Sequence, residues 1–451
     1  MRKTVLLGLL LLTIRPLCAA PNLPILDPAR VVEKKLPNGM GLVVKEERQW
    51  PVVALGMYIK AGSLYEYPAD SGAAHLVEHL LFETNGTDEQ KLAPFIESLG
   101  GRISATTLRD FVHVDVVIAS RYLEQVLPVL LKAVFEGKFT EQQMMREVAV
   151  IKREMTDRAD RVDLYLDEMI WQLAYKTHPY GRPIGGTGPG LSSLTFDTLN
   201  AFRRRFYVPN NASLVVAGDV DPAWLESRVK ELTATYAARD VGWQPPQAEA
   251  PLTEPRVKAE TLSRDVTLLA FAWRGPGIAD KPDVCAMDLI FTILGQGAIG
   301  RLNRDLVEDK KLILAADVDF LTQKYPGLVV VSALMPAGRE IESEAAILDE
   351  VKRLGDEPLT EAELDQAKRL LYTEYAFSNE SYDDQVGSMG FYAAIDDYRF
   401  ALDYIDQVMK ITPAQLQQVA RKYLRQDNYS LAILRGKKAN SAPEEAAMLT
   451  W

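Results

Sequence analysis

The chain has 451 residues, of which 47% are hydrophobic, 25% charged and 8% aromatic, with a formal net charge of −11. That composition excludes wholesale disorder, a collagen-like fibre and a small disulfide scaffold, and the length allows more than one hydrophobic core. The acidic balance argues against a nucleic-acid-binding surface.

Arg2 and Lys3, an apolar run from Val5 to Ile14 and the small residues Ala19 and Ala20 have the layout of a secretory signal peptide. We therefore expect residues 1–20 to be a removed leader on an exported protein, periplasmic in a Gram-negative bacterium, with no stable membrane span afterwards. Cys18 falls in that leader. Cys285, within the apolar stretch Val284 to Leu294, is expected to be a buried small hydrophobe.

An apolar strand is expected over Val52 to Ile59, followed by a polar loop from Ala61 to Asp70 and a helix over about Gly72 to Glu83. After Gly100-Gly101 the alternation Phe111-Val112-His113-Val114-Asp115-Val116 predicts a half-buried strand. Thr140 and Gln143 fit a capping box opening a long helix to about Arg158. A Pro- and Gln-rich stretch from Trp243 to Pro255 reads as a linker.

The parts on either side look like copies of one another. Leu194 to Leu214 aligns without gaps to Ile411 to Leu431, each a Thr-capped helix, an Asn-containing turn and an apolar strand. Phe139-Thr140-Glu141 matches Leu359-Thr360-Glu361, and Val52 to Ile59 resembles Val266 to Trp273. Three matches in one order predict a duplicated α+β unit, each copy a mostly antiparallel sheet packed with helices, the pair closing as a clamshell. The expected division is leader 1–20, first domain 21–242, linker 243–255, second domain 256–437 and tail 438–451.

Only four histidines occur, and two fall in His75-Leu76-Val77-Glu78-His79. Multiplying residue frequencies gives on the order of 0.003 chance matches to HxxEH in such a chain. On a helix, residues four apart stand one above the other, so both imidazoles can reach one cation, with Glu78 beside the same edge. Two neutral imidazoles and a carboxylate suit one Zn²⁺ per chain, with a position left for water. A third ligand is needed. Glu147 and Glu154 lie two helical turns apart on the predicted downstream helix, so one can bind the metal while the other supports a ligand. His113 and His178, without partners at ligand spacing, are expected to be structural.

With HLVEH, the stretches Gly62-Ser63 with Glu66, Phe82 to Thr87, Leu99-Gly100-Gly101, His178 to Thr187 (HPYGRPIGGT) and the segment from Tyr207 (YVPNNASLVVAGDVDP) resemble the pitrilysin and insulinase family of zinc peptidases. The family's short members include the mitochondrial processing peptidase subunits, and the resemblance covers nearly all of the chain after the leader. It implies that His75, His79 and Glu154 bind zinc, that Glu78 is the general base and that Glu147 is a second carboxylate supporting the site. The implied activity is zinc-dependent endopeptidase action on short or unfolded peptides. The alternative is a peptide-binding or assembly subunit with little turnover.

Two departures stand out. On the strand that pairs with substrate backbone, the family's Asn-Ala is replaced by Ser104-Ala105. In the second copy, the stretch from Gly300 to Asp317 keeps Arg301 as a candidate substrate-binding residue, but Leu314 stands where related enzymes carry a Tyr. A leucine donates no hydrogen bond to a developing oxyanion, and losing one donor costs about a hundredfold to a thousandfold in rate. The chain is therefore expected to pair with a homologous subunit that lacks HxxEH and supplies Arg and Tyr, unless Tyr325 or a water takes the donor's place. In the second copy the motif's place is held by Met287 to Phe291, without histidine, and Glu374 stands where Glu154 stands. A single metal site per chain follows.

Overall fold

The computed structural model describes residues 24–83 and 91–437. The expected leader, Cys18, the tail and Thr84 to Thr87 of the FETNGT stretch lie outside the described residues. No helix among the described residues is long and apolar enough to cross a membrane.

Among the described residues, eleven strands form two sheets. The first joins β1 (Val31–Lys35), β2 (Gly41–Glu46), β3 (Val52–Ile59), β4 (Arg102–Thr107), β5 (Val112–Ala119) and β6 (Ala212–Gly218) in the order β1-β2-β6-β3-β5-β4. The second joins β7 (Arg256–Leu262), β8 (Val266–Arg274), β9 (Ala315–Phe320), β10 (Leu328–Pro336) and β11 (Ser430–Gly436) in the order β7-β11-β8-β10-β9. Without β1 the two orders superimpose. In each sheet one pair is parallel, β2 with β6 and β7 with β11, and the other pairs are antiparallel. The duplicated, mostly antiparallel α+β architecture is thus present strand for strand.

The helix starts repeat as well. Thr140 closes a capping box on the helix Glu141–Asp160, and Thr360 accepts from the Glu363 N–H at the start of Glu361–Phe377. Thr195 and Thr412 cap Phe196–Phe206 and Pro413–Tyr423 in the same way. Each side-chain acceptor satisfies an N–H that the first helical turn leaves without a partner.

Every residue of β3 after Val52 is buried, because both faces of the first sheet are covered. Val53, Leu55, Met57 and Ile59 enter a core with the first copy's own helices, whereas Ala54 and Tyr58 enter the core of the second copy. The second face is covered by the helix Tyr382–Ile395 from the other half. A Cβ at Gly390 of that helix would lie 2.0 Å from the Tyr58 ring, so only glycine allows this approach. Reciprocally, the helix Val162–Ala174 of the first half packs on β8 and β11. The halves therefore exchange a helix each and share two cores. Cys285 is fully buried in one of them, and burial pushes its thiol pKa up.

The stretch from Trp243 to Pro255 has no helix or strand, yet it is bound to both halves. Glu249 Oε2 accepts from the N–H of Thr177 at 2.7 Å, the Thr177 hydroxyl at 2.8 Å and the N–H of His178 at 3.0 Å. The Arg274 guanidinium donates to the carbonyls of Glu249 and Ala250. Burial alone would raise the Glu249 pKa, but the donors outweigh it and hold the carboxyl at about 2. A folded-state pKa below the unfolded value means stability present above about pH 4.5 and lost as the pH falls toward 2. Glu249→Gln is accordingly expected to cost about 1.5–3 kcal/mol near neutrality, the range for hydrogen bonds to a charged group. Chemical denaturation at pH 7 and pH 3 checks this: the gap from wild type should narrow at the lower pH.

Candidate metal centre

The motif occupies the helix Ala73–Glu83, whose apolar side chains Leu76, Val77, Leu80 and Leu81 are buried and turn the edge bearing His75 and His79 toward the helix Glu141–Asp160. The start of the motif helix is held by Glu66, whose two carboxylate oxygens accept from the N–H groups of Gly72 at 3.0 Å and Ala74 at 2.9 Å. Burial pushes the Glu66 carboxyl up to about 8, against the two donors that lower it. The HPYGRPIGGT segment covers the same helix start. Gly186, in the left-handed region at φ +77°, comes so close that a Cβ would lie 2.6 Å from Gly72 Cα.

Four of the expected side chains converge. His75 Nε2 and His79 Nε2 are 3.3 Å apart, and Glu154 Oε2 lies 4.0 Å from the first and 3.7 Å from the second. Glu147 Oε2 lies 3.1 Å from the other ring nitrogen of His79, Nδ1. Two imidazole nitrogens bound to zinc near the tetrahedral angle stand about 3.3 Å apart, which is the spacing found here. Among the described residues, His75, His79 and Glu154 are the group of ligand-type side chains whose donor atoms all lie within 4.8 Å of one another. Burial, then the neighbouring His79 and Arg158, lowers the His75 pKa to about 4. Its ring is therefore neutral near pH 7, the form that coordinates a metal. The residues fit a zinc ion.

Glu78 lies on the cavity side of the pair, with Oε2 4.0 Å from His75 Nε2. Burial raises its pKa, while a hydrogen bond from Thr107 and the nearby His79 oppose the rise. The Thr107 hydroxyl donates to Glu78 Oε2 at 2.6 Å. Thr107 was not among the residues that the sequence singled out, since it is 29 positions from Glu78 and carries no motif. Glu66 belongs to a stretch that carries the family resemblance, and its sequence position alone assigns it no role.

A cavity of about 250 Å³ opens beside these groups, lined by His75, Glu78, Glu154, Arg109, Arg158 and the end of β4, among others. β4 is an edge strand of its sheet. Ala105, Thr106 and Thr107 face or border the cavity, whereas Ser104 is exposed and is not among the lining residues. The structure does not bring Arg301 to this cavity. The residue is 7% exposed, and its guanidinium forms a two-pronged ion pair with Glu363 at 2.7 and 2.9 Å. The Leu314 side chain is exposed. Tyr325 packs against the His178 and Tyr180 rings and is not a lining residue either. In the second copy Glu374 accepts from the Gln296 amide and has no histidine beside it.

The other two histidines make protein contacts. His113 stacks on Tyr58 with ring centroids 5.4 Å apart and bonds Asp115 through Nδ1. His178 accepts the Tyr180 N–H at 3.2 Å.

Comparison with known proteins matches residues 42–188 to the insulinase family, peptidase family M16, and residues 193–371 to the family described as the peptidase M16 inactive domain. A Bacillus subtilis (strain 168) protein described as an uncharacterized zinc protease is 22% identical over 403 residues, covering 88% of this chain and 96% of its own. A probable mitochondrial-processing peptidase subunit beta of Arabidopsis thaliana is 27% identical over 284 residues, 62% of this chain and 53% of its own. Among solved structures, a protease from Helicobacter pylori aligns with a TM-score of 0.84 at 22% identity over 90% of this chain and 99% of its own.

Proposed function

The chain belongs to the pitrilysin and insulinase family, peptidase family M16, and on that premise we propose that it is a zinc-dependent endopeptidase acting on short or unfolded peptides. The observation that carries the reading is the convergence of His75 Nε2, His79 Nε2 and a Glu154 oxygen beside the buried Glu78 carboxylate and an edge strand.

When bound, zinc polarises a peptide carbonyl and acidifies a water molecule. His75 and His79 would hold the metal through Nε2, and Glu154 would complete the ligand set. Glu147, at His79 Nδ1, fixes which ring nitrogen carries the proton and so leaves Nε2 free to coordinate. Glu78 receives the water's proton on its carboxylate and returns it to the leaving amine. The free edge of β4 offers backbone groups for an extended peptide to pair with, which suits an unfolded substrate. The test is zinc content per chain, with cleavage of a quenched peptide library before and after chelation. A metal-free chain, or hydrolysis that survives chelator, would overturn the reading.

The finer reading is that this chain is the zinc-bearing subunit of a heterodimer. Arg301 is engaged by Glu363, Leu314 offers no donor, and Tyr325 is held against His178 and Tyr180. None of the three supplies a hydrogen bond to a carbonyl in the cavity. The purified chain alone is expected to turn over about a hundredfold to a thousandfold more slowly than with a homologue that supplies Arg and Tyr. Size-exclusion chromatography of native extract with peptidase assays of each fraction checks this; a fully active monomer or homodimer would remove the case for a partner.

A further inference from the structure

We infer that Thr107 is a positioning residue for the general base: its hydroxyl hydrogen bond holds the Glu78 carboxylate in the orientation that hydrolysis requires. The inference deepens the peptidase reading and rests on it. Glu78 sits in the middle of a helix whose other interior neighbours are apolar, and one turn of χ angles would swing its carboxylate away from His75. The Thr107 hydroxyl, at 2.6 Å from Oε2, is the side-chain donor that fixes it. Such a bond to an ionised acceptor is short and stronger than one between neutral groups.

Thr107 is itself well held. It ends β4, pairs with Val112 across the strand, and is 7% exposed. The turn that follows closes through the Leu108 N–H to the Phe111 carbonyl at 2.8 Å. Asp110 in that turn accepts the Tyr180 hydroxyl at 2.6 Å and the Lys324 N–H at 3.1 Å, which ties it to the second half of the chain. The donor's position is thus set by the sheet and by the junction of the halves, on a different element from the helix that carries the base. The same strand borders the cavity where a peptide would pair. One element therefore aligns both the substrate backbone and the proton acceptor.

Two variants test this against the wild type: Thr107→Val, which keeps shape and strand preference without the hydroxyl, and Thr107→Ser, which keeps the hydroxyl. With zinc loaded, Thr107→Val should lose about tenfold to a hundredfold in kcat with KM and zinc content unchanged, and Thr107→Ser should recover most of the loss. Crystal structures of the metal-free proteins provide a readout besides activity: the Glu78 carboxylate should keep its place in wild type and Thr107→Ser and turn away in Thr107→Val. A Thr107→Val protein within twofold of wild-type kcat, or one that loses zinc together with activity, would overturn the inference. Should the wild type hydrolyse no peptide, the peptidase reading fails, and an unmoved Glu78 in the Thr107→Val crystals would separately remove the role given to Thr107.

Discussion

Glu78→Gln is expected to bind one zinc ion per chain with an affinity near that of the wild type and to lose peptide hydrolysis by about a hundredfold to ten-thousandfold, the range for removing a general base. Oε2 of Glu78 stands 4.0 Å from His75 Nε2, outside the ligand group formed by the two imidazoles and Glu154. Exchanging the carboxylate for an amide therefore leaves the coordinating atoms in place. The amide keeps an oxygen that can accept the Thr107 hydroxyl, so the packing around a residue 8% exposed is also retained. What it loses is the capacity to take a proton. Zinc analysis of the dialysed protein beside single-turnover cleavage of a quenched peptide checks the split. Near-normal turnover would show that another group moves the proton.

The second large effect separates the two acids of the long helix. His75→Ala and His79→Ala should each abolish zinc binding, and Glu154→Gln should weaken it severely, because each removes a donor atom. Glu147→Gln should cost only about tenfold to a hundredfold in metal affinity, as expected for an outer partner of a liganding histidine. The geometry behind the ordering is the 3.1 Å contact of Glu147 with His79 Nδ1, the nitrogen facing away from His75, against the approach of Glu154 to both Nε2 atoms. Chelator competition on the four variants measures the order. Equal losses for Glu147→Gln and Glu154→Gln, or the reverse order, would exchange their roles.

Much of the site could be read from the chain because its key spacings are local. Two histidines four apart on a helix must share an edge, and carboxylates seven apart must share a face two turns along, whatever surrounds them. The capping box at Thr140 and Gln143 is equally local, and it stands where the residue pattern put it. The duplication was legible for another reason: the Thr-capped helix and following strand recur as a block, so their order survives wherever the strands end up. Arg301 illustrates the limit. Its place in the chain suggested substrate, but Glu363, 62 residues later, takes its guanidinium.

By itself, then, the sequence determined the pairing of His75 with His79, the presence of Glu78 beside them, and two copies of one α+β unit. Only the tertiary structure decided which further groups meet the candidate site, Thr107 on Glu78 and Glu66 at the start of the motif helix, and which ring nitrogens Glu154 and Glu147 approach. It also decided that each half lends a helix to the other's sheet and that the linker is bound at Glu249 and Arg274. The physical reason is the same throughout. Helical periodicity constrains neighbours within a few turns, whereas contacts across tens or hundreds of residues depend on strand order, register and the packing of whole elements, which no single segment encodes.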